Sequence, residues 1–369
     1  MRSRLLFCVG TGLVILTVLF GAGCVTQPDE LPDSSAYLWN LSEISCISLP
    51  QDDSPSAAVL KSSLVIDVLE TSRLLAGKAG GRQAVGMVFD KNGSLFQMDL
   101  SSDSSRRVLM GSFAGNESTV IDLSYHVADH YISAIQLTTA GAVPKIYPNI
   151  TGMRSVASAR QIGPDGEEPL RGPALHISRQ TGPLFSGVLD IDIAGAIVPH
   201  AFVGGIYAVS GPTASAFVVM EDGEFWDVEI AGDLISFWTV GVSESAAGTE
   251  IVSAIRTYGN SSDSGSLPDI SGFWSASKED TISATGLQTE KSGPLTLELN
   301  RISGELFSGS GIGGKVDVSG SVVFGTRIGN DVHLCRGWVE EDVIHAARIY
   351  AEDGMKYAAI ADYARTSLA

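Results

Sequence analysis

The sequence predicts an all-β protein: three tandem antiparallel up-and-down β-barrel-like repeats after an N-terminal signal or anchor helix. Three observations carry that expectation. Pro148-Asn149-Ile150-Thr151-Gly152 recurs as Pro268-Asp269-Ile270-Ser271-Gly272, about 120 positions on, and a fixed period marks duplicated units. Short segments alternate apolar and polar residues, the period of a half-buried strand. Charged residues make up 18% of the chain and 41 residues are Gly, which suits strands and turns better than helices rich in Ala, Leu, Glu and Lys.

The N-terminus reads as an address. Arg2 and Arg4 precede the apolar run Leu5 to Phe20, and Gly21-Ala22-Gly23-Cys24 follows. That is the layout of an export signal with small residues before a cut. Residues 1–24 are therefore assigned to a signal peptide or lipid anchor. Counted through Val25 the run reaches the ~20 residues of a membrane span, so an uncleaved anchor is the alternative. Basic residues lie only ahead of the run, which places the remainder outside the cell. The Gly-Cys ending resembles the lipobox of prokaryotic lipoproteins. That resemblance implies lipidation of Cys24, against the alternative of an incidental small residue. Residues 25–35 are polar and broken by Pro28 and Pro32, as a tether is.

The third unit, residues 267–366, is the clearest. Leu295-Thr296-Leu297-Glu298-Leu299 alternates strictly. Leu306-Phe307-Ser308-Gly309, Val316 to Val322, Val332 to Trp338, Val343 to Tyr350 and Tyr357 to Tyr363 follow as strands. The second unit, 147–259, repeats the order. Leu184-Phe185-Ser186-Gly187 matches Leu306 to Gly309, and Phe202 to Tyr207 is matched to the strand around Gly320. The first unit, 36–141, is degraded. Leu74-Leu75-Ala76-Gly77 takes the Leu-Phe-Ser-Gly place, and Lys91-Asn92-Gly93 reads as a hairpin turn. Ala57 to Leu69 has helical composition, and only the repeat argues for a strand there. About eight strands per unit close most economically as a barrel, since closure removes exposed edges. Three complete barrels on a string are expected, with a sheet open or shared between neighbours as the alternative.

Gly272-Phe273-Trp274 opens the third unit. It resembles the Gly-x-Trp of calycin barrels, the lipocalin and avidin group. The resemblance implies that Trp274 closes one barrel end and that Arg365, after the last strand, packs over it. The second unit has Met153-Arg154 in place of the aromatic pair, so its end must close otherwise. The units also look like tandem β-repeats of uncharacterised archaeal exported proteins, a kinship that implies surface location.

The formal net charge is −18, which excludes nucleic acid and electrostatic docking on anionic lipid. Besides Cys8 and Cys24 only Cys46 and Cys335 remain, read as two buried free thiols. Asn40, Asn92, Asn116, Asn149 and Asn260 head N-glycosylation triplets. His126 and His130 flank Asp129 at a spacing that puts them on one strand face, but a third metal ligand is not evident. No metal or cofactor is therefore assigned. Asp190 with Asp192, and Glu221 beside Asp222, read as solvated acids ahead of a hydrolytic pair. Glu340-Glu341-Asp342 reads as a solvated turn. Gly311-Ile312-Gly313-Gly314-Lys315 sits between strands and lacks the helix of a phosphate loop. Trp226, Phe237, Trp238 and Tyr207 read as core. The sequence thus points to an exported, membrane-anchored, noncatalytic surface protein, a binding or cell-envelope module whose partner is a surface protein, a glycan or a small apolar ligand. Two alternatives stand beside it: an exported hydrolase with its site between units, and a binder of a small apolar ligand inside a barrel.

Overall fold

The computed structural model describes residues 39–49, 59–60, 65–71, 73–102, 105–114, 117–126, 131–139, 145–171, 174–193, 195–245, 248–259, 266–328 and 331–366. The N-terminal signal and Cys24 lie outside them. The described residues are all-β, and every named strand pairing is antiparallel. The first strands are β1 (Trp39–Ser48), β2 (Val59–Leu60), β3 (Val65–Thr71), β4 (Leu74–Ala79), β5 (Arg82–Val88), β6 (Leu95–Asp99), β7 (Arg106–Ala114), β8 (Glu117–His126) and β9 (Tyr131–Thr139). They form one sheet in which β1 pairs with β3 on one side and β9 on the other, so the sheet returns on itself. The short β2 lies outside that ring, on β1. The segment of helical composition is therefore strand wherever it is described.

The second group is β10 (Gly152–Gly163), β11 (Gly166–Pro169), β12 (Ala174–Thr181), β13 (Leu184–Ile193), β14 (Ala196–Ser210), β15 (Thr213–Met220), β16 (Phe225–Ala231), β17 (Leu234–Ser245) and β18 (Gly248–Tyr258). Again the first strand meets the last, β10 with β18. The third group is β19 (Gly272–Ser283), β20 (Gln288–Ser303), β21 (Leu306–Gly309), β22 (Ile312–Val316), β23 (Ser321–Ile328), β24 (Asp331–Glu340), β25 (Val343–Glu352) and β26 (Met355–Thr366), a closed barrel.

Two readings of the third unit change. Asp317 to Gly320 is a turn rather than part of a strand. Asp317 Oδ1 accepts hydrogen bonds from the Ser319 and Ser321 amides at 2.8 and 2.9 Å, and a short carboxylate that captures nearby backbone donors stabilises a turn. Val318 consequently stands 54% exposed. The Gly-rich Ile312-Gly313-Gly314-Lys315 is itself strand β22. The strand matching Phe202 to Tyr207 is thus β22, and the equivalent glycine is Gly314. Gly204 lies across from Phe185 and Gly314 across from Phe307. A Cβ on either would meet the facing ring at 2.6 and 2.5 Å, closer than non-bonded carbons pack. Gly86 takes the same place across from Leu75.

Each sheet encloses its own apolar side chains. Phe96, Met98 and Leu109 fill the first, Phe185, Phe202 and Phe237 the second, and Trp274, Phe307 and Phe324 the third. The barrels are not strung apart, as the sequence suggested. Their outer walls pack on one another. Met110, Ile121 and Leu123 meet Leu184, Val203 and Phe217. Met87 and Val85 meet Ile282 and Ile360. Trp238 and Ile255 meet Leu306 and Val323. Strands buried on both faces lose their alternation, and all five residues of β22 are buried.

Charge is matched across the same walls. Arg336 on β24 forks onto Asp227 on β16 at 2.5 and 3.0 Å. Phe89 of the first barrel and Phe225 of the second flank its guanidinium, 5.7 and 5.6 Å away. Lys315 meets Glu229 at 3.2 Å and Lys356 meets Asp99 at 2.9 Å. Arg73 meets Asp362 at 3.2 Å, and Arg160 pairs with Glu305.

Arg336 is 1% exposed. Removing one member of such a pair strands the other in low dielectric, at a cost of about 3–5 kcal/mol, whereas an apolar replacement of both does not. Arg336→Met and Asp227→Leu should each lower urea-unfolding stability by about that much, and the double variant by clearly less. Additive losses in the double-mutant cycle would show that the pair does not couple the barrels.

Candidate functional site

The repeated Pro-Asx-Ile-Ser/Thr-Gly segment builds one end of a barrel. Asp269 Oδ1 accepts from the Ser271 amide at 2.9 Å and the Ser271 hydroxyl at 2.6 Å. Asn149 Oδ1 does the same with the Thr151 amide and hydroxyl, at 3.1 and 2.8 Å. The next residue, Gly272 or Gly152, has φ near +118° and +116°, a region only glycine enters without strain. The turn drives Ile270 and Ile150 into the barrel, where each is fully buried. Trp274 Nε1 then donates to the Ile270 carbonyl at 3.0 Å. Arg154 Nη1 donates to the Ile150 carbonyl at 2.7 Å. The second unit, without the Trp, makes the same bond from a guanidinium.

Arg365 sits with its Cζ 4.6 Å from the centre of the Trp274 ring, within reach of a cation–π attraction. It also donates to the Asp269 carbonyl and pairs with Asp342 at 3.2 Å. Hydrogen bonds from Ser271 hold the Asp269 carboxyl below its ordinary pKa, with burial opposing and Arg365 adding to the effect.

The interior of the third barrel is polar further along. Arg348 Nη2 donates to Glu279 Oε1 and Oε2 at 2.8 and 3.0 Å, with both residues buried. His333 lies 3.1 Å from Arg348 Nη1, and the Tyr350 ring lies 4.5 Å from the guanidinium. Burial first, and Arg348 second, lower the His333 pKa. Burial opposes the Arg348 charge, but Glu279 outweighs it and the pKa rises. This is a closed ion pair with its donors satisfied, and sequence reading had not singled out either member.

On the outside, a polar groove of about 380 Å³ runs along β19 and β20 beside Leu74 of the first barrel. Lys278 spans it, 3.2 Å from Asp280 and 3.1 Å from Glu290. Thr281, Ile282, Gln288 and Thr289 complete the lining. The groove offers hydroxyl, amide, ammonium and carboxylate groups to solvent, a surface suited to hydrogen bonding.

Among the described residues, those selected from the sequence do not converge on a catalytic constellation. His130 and Asp129 lie outside the described residues, and of His126 only its place at the end of β8 is described. Asp192 caps a turn through the Gly195 amide at 2.7 Å. Glu221 faces His200 at 3.4 Å, and Asp222 accepts from the Glu224 amide. Among the described residues no group of three or more His, Cys, Asp or Glu is placed to hold a metal ion. Cys335 is a buried free thiol, and Cys46 is only partly buried. Trp226 and Phe237 are core of the second barrel, whereas Trp238 and Tyr207 are buried between barrels. Asn92 and Asn149 are exposed. Asn40 lies on β1, and Asn116 and Asn260 fall outside the described residues.

No protein-family description matches the chain, and no curated protein matches it. Solved structures of transferrin binding protein B are similar over much of its length. A tryptophan-to-alanine mutant of the vaccine antigen from Haemophilus parasuis Hp5 has 8% identity and TM-score 0.18, covering 92% of this chain and 77% of that one. Intact Ap-TbpB, with N and C lobes, has 9% identity and TM-score 0.17, covering 90% and 77%. The isotype 1 protein from serogroup B Neisseria meningitidis has 9% identity and TM-score 0.18, covering 90% and 77%. Likeness at that level transfers neither ligand nor partner to this chain.

Burial pushes Cys335 up to about 12 and Tyr258 up to about 12. In the unfolded chain these groups ionise near about 8.5 and 10. The neutral forms therefore favour the folded state fully below about pH 8.5, and that contribution disappears as pH climbs toward 12. Urea midpoints should fall steadily between pH 9 and pH 11, and less steeply in Cys335→Ala. A flat profile across that range would contradict the burial of these groups.

Proposed function

We propose that this chain is an exported, membrane-anchored, noncatalytic surface module, three linked β-barrel units that present a binding face at the cell envelope. The observation that carries this reading is where buried charge is placed. Arg336 with Asp227, Lys315 with Glu229, and Arg348 with Glu279 are closed pairs holding walls and interiors together. Charges arranged for chemistry instead face a cleft. The polar groove beside Lys278 supplies an external surface, and its lining favours a glycan or a polar protein face over a small apolar ligand. The calycin-like reading supports Trp274 and Arg365 as an end closure that shapes the scaffold. The anchor rests on the N-terminal sequence, with Cys24 as its lipid attachment.

The soluble part of the chain, from the linker onward, applied to a glycan array should show selective binding that Lys278→Ala with Glu290→Ala reduces without lowering Tm. Turnover of chromogenic esters or glycosides, abolished by changing Asp190 or Asp192, would instead favour the hydrolase. For the anchor, Cys24→Ser should move the protein from the membrane fraction to the soluble one. An N-terminus intact at Met1, found by mass spectrometry of the membrane fraction, would defeat lipidation.

A further inference from the structure

The second barrel carries a buried cation that forms no ion pair with any described residue. Arg256 on β18 is 7% exposed. Its cross-strand neighbour Phe237 belongs to the apolar interior, and paired residues on adjacent strands share a face. Arg256 therefore points inward, where its Cζ lies 5.3 Å from the centre of the Trp226 ring. Its Nε is buried and without a hydrogen-bond partner. Arg160 and Arg336 also leave Nε without a hydrogen bond, but each engages a carboxylate through another guanidinium nitrogen. Arg256 makes no ion pair among the described residues. Glu224, whose charge acts on it, accepts a hydrogen bond from Trp226 Nε1 at 2.9 Å. Burial accordingly lowers the Arg256 pKa, with Tyr258 and Glu224 opposing. Two residues further on the same face, the Tyr258 hydroxyl is also buried without a partner.

The third barrel shows what is missing. Counted from the opening Gly152 and Gly272, Ala159 stands where Glu279 stands. Ala159 is the cross-strand neighbour of Arg256. In the third barrel the corresponding acid is present and is bonded to Arg348. The second barrel thus carries its guanidinium on another strand, at the place Ala361 takes in the third, while a methyl group stands where the third has its carboxylate. An unpaired buried charge costs several kcal/mol, and an anion from outside removes that cost where a protein anion does not.

We infer that the second barrel binds a small organic carboxylate, held by the Arg256 guanidinium beside Ala159, with the Tyr258 hydroxyl as a further donor on the same face. Charge-assisted guanidinium–carboxylate bonds supply the affinity. Glu224, on the β15–β16 turn, accepts from Trp226, whose ring faces the Arg256 guanidinium. The inference is independent of export and of the groove beside Lys278.

The test is isothermal titration calorimetry on the soluble chain with acetate, butyrate and benzoate, each against its amide. At least one carboxylate should bind, and its amide should bind at least about tenfold more weakly. Arg256→Gln should weaken binding by a similar factor. Ala159→Glu, which restores the internal acid, should abolish binding and raise Tm. Failure of all three carboxylates to bind would overturn the inference. So would an amide that binds equally well, or binding that survives in Ala159→Glu.

Discussion

A buried guanidinium admits few arrangements, and the one at Arg336 sets the relation of the three barrels. Its charge must be met where water does not reach. Asp227 meets it from the second barrel, while Phe89 of the first barrel and Phe225 of the second lie against it. Burial pushes the nearby Tyr207 hydroxyl upward, so the phenol stays neutral beside this pair. Moving one barrel away exposes apolar walls and breaks a matched charge pair together. The barrels consequently form one body instead of independent modules on a tether. The chain has 24 basic residues against 42 acidic ones. Arg336, Lys315, Lys356, Arg73 and Arg160 lie at barrel joints, each on an acid of another barrel. The excess acid is left to the outside, which keeps the assembled surface strongly negative.

The sequence showed strands clearly where only one face is buried. Leu295 to Leu299 alternates because one face meets the core and the other water. The same signal fails at joints. In β22 one face closes a barrel and the other meets a neighbour, so Ile312 to Val316 reads as a Gly-rich spacer although every residue is buried. The opposite error arose at Asp317 to Gly320. Alternating Val and Ser imitate a strand there, but the Asp317 carboxylate captures the backbone donors a strand would use. The recurrent glycine opposite a large side chain, at Gly86, Gly204 and Gly314, was hidden for a related reason. Close approach is visible only once Met98, Phe185 and Phe307 are seen across the ladder. Contacts between barrels join residues far apart in sequence, such as Arg336 and Asp227, and no local pattern marks them.

The Pro-Asx-Ile-Ser/Thr-Gly segment survived in two units because its bonds are local. Asp269 and Asn149 fold the turn through their own following residues, and the positive φ of the glycine completes it. Whatever stands two residues later needs only one donor that reaches the buried carbonyl. An indole at Trp274 and a guanidinium at Arg154 both do so. Side-chain identity drifted while the bond remained, which explains why an aromatic signature is complete in the third unit alone.

The same comparison separates scaffold from what is particular to one unit. Between the second and third barrels the turn, the inward isoleucine and the glycine opposite phenylalanine persist. The internal charge does not. Glu279 and Arg348 neutralise one another in the third barrel. In the second barrel Ala159 stands at the acid's place and Arg256 stands beside it. Fold requirements do not select that arrangement, since an apolar residue at 256 would be less costly to bury than an unpaired cation. Ala361, at the matching place in the third barrel, is such a residue and is buried there. The departure from the shared scaffold therefore marks the second barrel, rather than the motif that repeats, as the place to look for chemistry that a common fold does not dictate.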